Sequence, residues 1–348
     1  MSTTCVVTLG VDTHKDLHVV VALDQLGRRL GTASFPTDDA HHLALWDWAS
    51  EFGELSHAGV EGTGSFGYRL AHFLTSAGVT VLEVNRPNRT ARRRRGKSDP
   101  VDAENAARAV LSGDTTAIPK TRTGPAGQLQ ALLIARRSAV KSRVQAELQL
   151  RCLILKLDDV TRAQVDRRRT ADVTAACEEL TGTDGTSLSL RALARRWRYL
   201  DEEVREGHAA IEQLVRQTTP QLLTQPGIGP VTAAQLLATA GDNPDRLGSE
   251  AAFAALCGVS PVEHSSGKTH RHRINRGGDR AANSALWTIA TNRLIHDPRT
   301  QDYAARRTTT GSSRKEIIRL LKRYIARQVF NEILHALTPP SKPVINNA

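Results

Sequence analysis

The sequence is poor in aromatic residues. Only 4% of its 348 residues are Phe, Trp or Tyr, and it has a single methionine. A protein that grips single strands by stacking bases needs many aromatic faces, so wide base stacking is excluded as the main mode of contact. Cysteine is scarce too. Cys5, Cys152, Cys177 and Cys257 lie far apart and form no C-x-x-C pair. That excludes a disulfide framework and a zinc ribbon, and the four thiols are expected as small buried hydrophobes. No apolar run approaches the ~20 residues of a membrane helix. The opening MSTTCVVTLGVDTHKD has no basic segment and reaches an acid early, unlike a secretory signal. A cytoplasmic, nucleoid-associated location without a membrane partner is the expectation.

Positive charge is what the chain has in excess. Lys and Arg number 47 against 36 acids, a formal net charge of +11. The excess is clustered: Arg92, Arg93, Arg94, Arg95 and Lys97 form one group, residues 167–169 another, and Lys268, Arg271, Arg273 and Arg276 a third. Clusters of this kind point to a polyanionic partner. Contacts from them to phosphates hold register and carry little sequence information.

The length suggests two or three domains, and the pattern divides into three. Residues 1–124 read as α/β. Strands are expected at 5–11, 17–23 and 29–35, a helix at 39–52, a strand at 58–61, a helix at 68–77 and a strand at 79–84. Three closely spaced strands form a meander, and strands separated by helices pair in parallel. This is the strand order of a ribonuclease H-like sheet. Residues 125–218 read as a helical hairpin or an intermolecular coiled coil. Residues 128–157 hold no Gly or Pro, and Leu129, Leu132, Leu133, Val140, Val144, Leu148 and Leu155 form a seam near heptad spacing. After a break at 181–186, a second helix at 188–217 aligns Leu193, Trp197, Leu200, Val204, Ile211 and Leu214.

Residues 219–340 read as mainly helical, with a frayed tail at 341–348. Pro226-Gly227-Ile228-Gly229-Pro230 sits between two apolar helices and looks like a helix-hairpin-helix turn. There Gly227 and Gly229 would let backbone N–H groups approach a phosphate.

The carboxylates carry the chemistry. Asp12 and Glu61 end expected strands, where ligands gather. Asp99 and Asp102 share a face at a helix start. Four converging carboxylates repel unless cations sit between them. A pair of Mg²⁺ ions ~3.5–4 Å apart would relieve this and serve phosphoryl displacement. Asp99-Pro100-Val101-Asp102 also reads as a helix cap. Two nucleotide motifs compete and fall short. Gly62-Thr63-Gly64-Ser65-Phe66-Gly67 matches G-x-G-x-x-G, but Glu61 would face the pyrophosphate. Gly267-Lys268-Thr269 looks like the end of a phosphate loop, but Val262 stands where its first Gly is required. Ser265 and Ser266 occupy a Gly-flanked basic loop. A serine hydroxyl is a weak nucleophile until activated, and spacing alone does not choose between the two.

These motifs together resemble the DEDD-type insertion-sequence serine transposases, the bridge-RNA-guided recombinases. VDTHKD around Asp12, GVEGTGSFG around Glu61 and RRRRGKSDPVDAENAARA around Asp99 and Asp102 are similar to that family's RuvC-like domain. QPGIGPVTAAQLLA, FAALCGVSPVEHSSGK and RINRGGDRAANSALW are similar to its C-terminal transposase domain. The resemblance covers nearly the whole chain. It implies that Asp12, Glu61, Asp99 and Asp102 bind Mg²⁺ and that Ser266 is the nucleophile, with Ser265 its rival. It also implies a phosphoserine link to donor and target double-stranded DNA, a structured guide RNA, and a homo-oligomer, dimer or tetramer, in which acids and serine come from different protomers. The chain departs from the family after residues 278–280, where Ala282-Asn283-Ser284 lacks a second basic residue. Two other readings stand beside this one: a RuvC-like Mg²⁺-dependent junction nuclease using water, and a nucleic-acid-binding protein without catalysis.

Overall fold

A computed structural model describes residues 5–84, 98–267, 272–273 and 275–337. The chain forms two compact units, residues 1–121 and 122–348.

In the first unit, runs of β-branched residues make β1 (Val6–Thr13) and β2 (Leu17–Leu23), and the apolar–small alternation of 29–35 makes β3 (Arg29–Pro36). They pair as an antiparallel meander. The β2–β3 turn is held by the Asp24 carboxylate, which accepts the N–H groups of Leu26 and Arg28, an Asx-type turn. β4 (Glu54–Glu61) joins β1 in parallel, and β5 (Thr80–Val84) joins β4, giving the order β3-β2-β1-β4-β5. α1 (Asp39–Ser50) and α2 (Tyr68–Ser76) cover one face, burying Leu45, Leu70 and Leu74 against Val7, Leu9 and Val11. α3 (Asp99–Leu111) covers the other, with Ala103 and Ala107 against Val19, Val21 and Leu23.

Two glycines set how closely α3 lies. Gly10 and Gly59 are cross-strand partners. A Cβ on Gly10 would fall 1.9 Å from the Ala103 carbonyl oxygen, and one on Gly59 2.5 Å from that of Ala106. The obstacles are helix backbone, which cannot rotate away. Gly10→Ala is therefore expected to destabilise the unit by about 3 kcal/mol, the upper end of overpacking costs. Urea unfolding measures this, and an unchanged midpoint would show that α3 is not closely seated.

His18 and His42 are both 1% exposed and stack with ring centroids 6.0 Å apart. Neither ring nitrogen of His18 has a hydrogen-bond partner among the described residues. Burial, then the His42 and His14 charges, pushes the His18 pKa down to about 4. The unfolded chain takes up this proton near pH 6.5 and the folded one does not. Stability is therefore expected to fall as pH drops from 6.5 to 4, by about 3 kcal/mol in full. Denaturant titrations at pH 7 and pH 4.5 check this. The loss should shrink in His18→Phe.

The second unit is helical. α4 (Pro125–Ile154) and α7 (Gly185–Thr218) pack antiparallel within one chain, with α5 (Asp159–Val165) and α6 (Thr170–Glu178) between them in sequence. Leu150 and Ile154 share a cluster with Leu190 and Ala194 at one end, and Leu129 and Leu133 with Ile211 and Val215 at the other. The α4 seam differs from the sequence expectation. Val144, Leu148 and Leu155 are exposed, and Ala139, Ala146 and Leu150 are buried instead. Arg143 explains part of the shift: it pairs with Asp201 and lies 5.9 Å over the Trp197 ring, so a cation occupies a place an apolar residue was expected to fill. The cysteine expectation also needs correction. Cys177 and Cys257 are buried, but Cys5 is only half-buried and Cys152 is exposed, on the outer face of α4.

After α7 come α8 (Pro220–Thr224), α9 (Pro230–Ala240), a 3-10 turn (Pro244–Leu247) and α10 (Glu250–Leu256). A hairpin of β6 (Val262–Glu263) and β7 (His272–Arg273) leads to α11 (Arg280–His296), α12 (Pro298–Thr309) and α13 (Arg314–Leu337). Asp242 accepts the N–H groups of Gly124, Ala126 and Gly127, supplying the orphan donors at the start of α4 with a charged acceptor. The core of this part joins Leu236, Phe253, Leu286 and Ile325 from four helices.

Candidate metal centre and serine hairpin

Asp12 lies at the end of β1, 8% exposed. Val11 pairs with Val60 in the parallel ladder, so Asp12 and Glu61 come next, side by side at the ends of neighbouring strands. Thr13 ties these ends together, its hydroxyl donating to the Glu61 carbonyl at 2.9 Å. The loop after Glu61 closes on itself: Ser65 and Gly67 N–H groups donate to the Gly62 carbonyl. A Cβ at Gly67 would fall 2.7 Å from the Glu61 carbonyl oxygen. The glycines of the G-x-G-x-x-G stretch thus let α2 start hard against the strand end.

The close seating of α3 brings its first turn to this point. Ser98 is the N-cap and its side chain makes no capping bond. Asp99 is the first helical residue, so the cap expectation is corrected by one position. Asp99 is half exposed, and Asp102 is 3% exposed. Burial raises the Asp12 pKa from its ordinary value, opposed by His14 and reinforced by the charges of Asp99 and Asp102. Three acids therefore crowd one position, with Glu61 on the adjoining strand.

His14 was not singled out in the sequence. Its Nε2 lies 3.4 Å from Asp12 Oδ2 and 3.5 Å from Asp99 Oδ2. One donor atom each from Asp12, His14 and Asp99 falls within 4.8 Å of the others. Two carboxylate oxygens and an imidazole nitrogen fit a divalent cation. The signal lay in the spacing: His14 comes two residues after Asp12, just past the end of β1.

The second unit holds the serines. Ser265 and Ser266 are exposed beyond β6, and Gly267 follows with φ +56°, a conformation that favours glycine. A Cβ on Gly267 would meet nothing within 4 Å among the described residues. Arg273 and Arg276 are exposed on the return of the hairpin and in the next loop. Arg92, Arg93, Arg94, Arg95, Lys97, Lys268 and Arg271 lie outside the described residues.

The turn at 226–230 has its glycines engaged. Gly227 has φ +73°, and a Cβ there would lie 3.1 Å from both Arg293 Cγ and the Ile289 carbonyl oxygen. Arg293 is buried and donates from Nε to the Pro226 carbonyl at 2.7 Å. The Gly229 N–H donates to the Thr232 hydroxyl at 3.1 Å. Asn283, in the helix turn where the resemblance implied a second basic residue, donates to the carbonyls of Cys257 and Gly258 and accepts from Lys322 at 2.8 Å. A cation from α13 thus reaches this place.

Comparison with known proteins adds to this geometry. A DEDD transposase model of the IS110 type matches residues 9–157, spanning the sheet and the acids. A model described as the transposase IS116/IS110/IS902 family matches residues 220–305, spanning the serine hairpin. An uncharacterized 43.6 kDa protein of insertion element IS110 from Streptomyces coelicolor is 29% identical over 163 residues. The match covers 44% of this chain and 40% of that protein. With two models matched in this order over more than half of its length, the chain belongs to the IS110 family of transposases.

Proposed function

We propose that the protein is the DNA recombinase of an insertion sequence, cutting and rejoining double-stranded DNA through a phosphoserine intermediate. The observation that carries this reading is the gathering of Asp12, Asp99 and Asp102 at the end of β1, in a chain whose second unit carries the exposed Ser265 and Ser266. Asp12, Glu61, Asp99 and Asp102 would hold Mg²⁺, with His14 beside them. When bound, the metal supplies charge neutralisation at the scissile phosphate.

The remaining chemistry belongs to the chain. Ser266 Oγ attacks the phosphorus, and the bond to a deoxyribose oxygen breaks. The departing oxygen takes up a proton equivalent to the one the serine gave up. The hydroxyl of a second DNA end then attacks the phosphoserine and releases Ser266. The exposed position of the serine suits its delivery to acids of another protomer, so the working form is a homo-oligomer. A structured guide RNA would read the target, leaving the protein to hold duplex shape and backbone. The clusters at residues 92–97 and 268–276 would contact phosphates.

One observation favours the water-using nuclease as a second reading. Among the described residues, neither the Ser265 nor the Ser266 hydroxyl has a hydrogen-bond partner that could activate it. A single assay separates the two. The protein is incubated with plasmid DNA carrying the element's ends, the transcript of its flank and Mg²⁺, then denatured. Rejoined junctions and a denaturant-resistant protein–DNA adduct, both lost with EDTA, are expected. Mg²⁺-dependent nicks without an adduct would establish the nuclease, and binding without any cleavage would refute both.

A further inference from the structure

A cavity of about 550 Å³ opens in the second unit at the foot of the serine hairpin. Val259, Pro261 and Leu320 give it apolar walls. Around them stand five cations, Arg273, Arg307, Arg319, Lys322 and Arg323, against one acid, Glu316. Three of these charges are already engaged, Lys322 among them through its bond to Asn283. Arg323 forms a two-pronged pair with Glu250. Glu316 accepts the N–H and hydroxyl of Ser313, closing the first turn of α13 as a capping box does.

Arg273, Arg307 and Arg319 have no carboxylate within salt-bridge distance among the described residues, although the charges of Arg319 and Arg307 help lower the Glu316 pKa. The Nε of Arg307 is buried with no hydrogen-bond acceptor. A buried donor left unmade costs about 1–3 kcal/mol, so this atom calls for an acceptor that the described residues do not supply. Lys322 is crowded as well, its pKa lowered by burial and by Arg319. An anion would satisfy all of these groups together.

The size and walls narrow the choice of anion. The volume lies in the range of small-molecule sites and exceeds what a bare phosphate fills. Apolar walls suit an attached sugar and base. Position narrows it further. Val262 pairs with Arg273 at the base of the hairpin, and Ser266 is four residues beyond Val262. At ~3.3 Å per residue that is a reach of about 13 Å, so a strand lodged in the cavity passes close to the serine.

We propose that this cavity is a nucleotide subsite for the DNA strand presented to Ser266. Arg273, Arg307 and Arg319 hold one phosphate, and the attached sugar and base rest on Val259, Pro261 and Leu320. The proposal rests on the recombinase reading and adds to it where the strand is gripped.

The test is calorimetric binding of thymidine 3′,5′-bisphosphate to the full chain, with no cleavage step involved. Arg319 is an exposed side chain, so Arg319→Gln is expected to fold as the parent does, with the same thermal midpoint. It and Arg307→Gln should each weaken binding at least about tenfold. Arg299→Ala, exposed on α12 outside the cavity, should not. In single-strand DNA binding, each lost contact should flatten the log affinity against log salt slope by about 0.7. Thymidine and inorganic phosphate should both bind far more weakly than the bisphosphate. The subsite is refuted if the bisphosphate fails to bind the parent or binds parent and variants equally. Tighter binding of uridine 3′,5′-bisphosphate would overturn the DNA assignment in favour of RNA. If the subsite fails while the parent still forms the serine adduct, the recombinase reading stands. If the parent neither cleaves nor forms an adduct, that reading falls on its own account.

Discussion

Asp12→Asn and Asp102→Asn should each lower strand cleavage by at least about 100-fold, and Asp12→Asn should leave the fold intact or more stable. The stability half follows from the site's electrostatics. Asp12 is buried beside Asp99 and Asp102, and its pKa is raised in the folded protein. At neutral pH its charge therefore works against folding when no cation is present. Asn keeps the shape and removes that charge, so the thermal midpoint of the metal-free protein should hold or rise. The activity half follows from the ligand role. Losing even an outer partner of a metal site commonly costs 10–100-fold, and under the proposed function these two acids are inner ligands. Nucleic-acid binding should be nearly unchanged, because the basic clusters are untouched. Paired thermal unfolding and cleavage assays check both halves. Normal cleavage by both variants would sink the metal-site assignment, and a collapse in stability would show that the acids serve the fold.

The parts of this site that the sequence made legible are those carried by local pattern. The runs at 17–23 and 29–35 are dense in β-branched and apolar residues, and they form β2 and β3 where expected. Asp12 and Glu61 could be placed at strand ends for the same reason. The approach of α3 was not legible. It depends on Gly10 and Gly59 meeting across two strands, a pairing of residues 49 positions apart that no local window contains. The same limit hid the cap, since the choice between Ser98 and Asp99 is settled by where the helix is seated. The α4 seam misled for a different reason. A heptad reading treats Arg as an outside residue, yet Arg143 packs over Trp197 and pairs with Asp201, and alanines carry the contact elsewhere. Long cationic side chains bury their stems and keep the charge paired, which a hydrophobic count does not see.

Ser266→Ala should abolish the covalent protein–DNA adduct and all strand transfer, with DNA binding unchanged. The exposed hydroxyl makes no hydrogen bond among the described residues, so its removal leaves no buried group unpaired and costs little stability. Gly267, at φ +56°, lets the chain turn just after the serine and leaves the hydroxyl open to an incoming phosphate. A serine recombinase without this oxygen has no nucleophile, and its substrate should remain uncut on a denaturing gel. A water-using nuclease would behave otherwise, since its nucleophile is not part of the protein, and Ser266→Ala would still nick DNA at close to the parent rate. Ser265→Ala serves as the companion, because it shares the loop, the exposure and the basic surroundings. It should retain the adduct. A dead Ser265→Ala beside an active Ser266→Ala would move the nucleophile by one residue, and cleavage by both would remove serine from the mechanism and leave the carboxylate site to act with water.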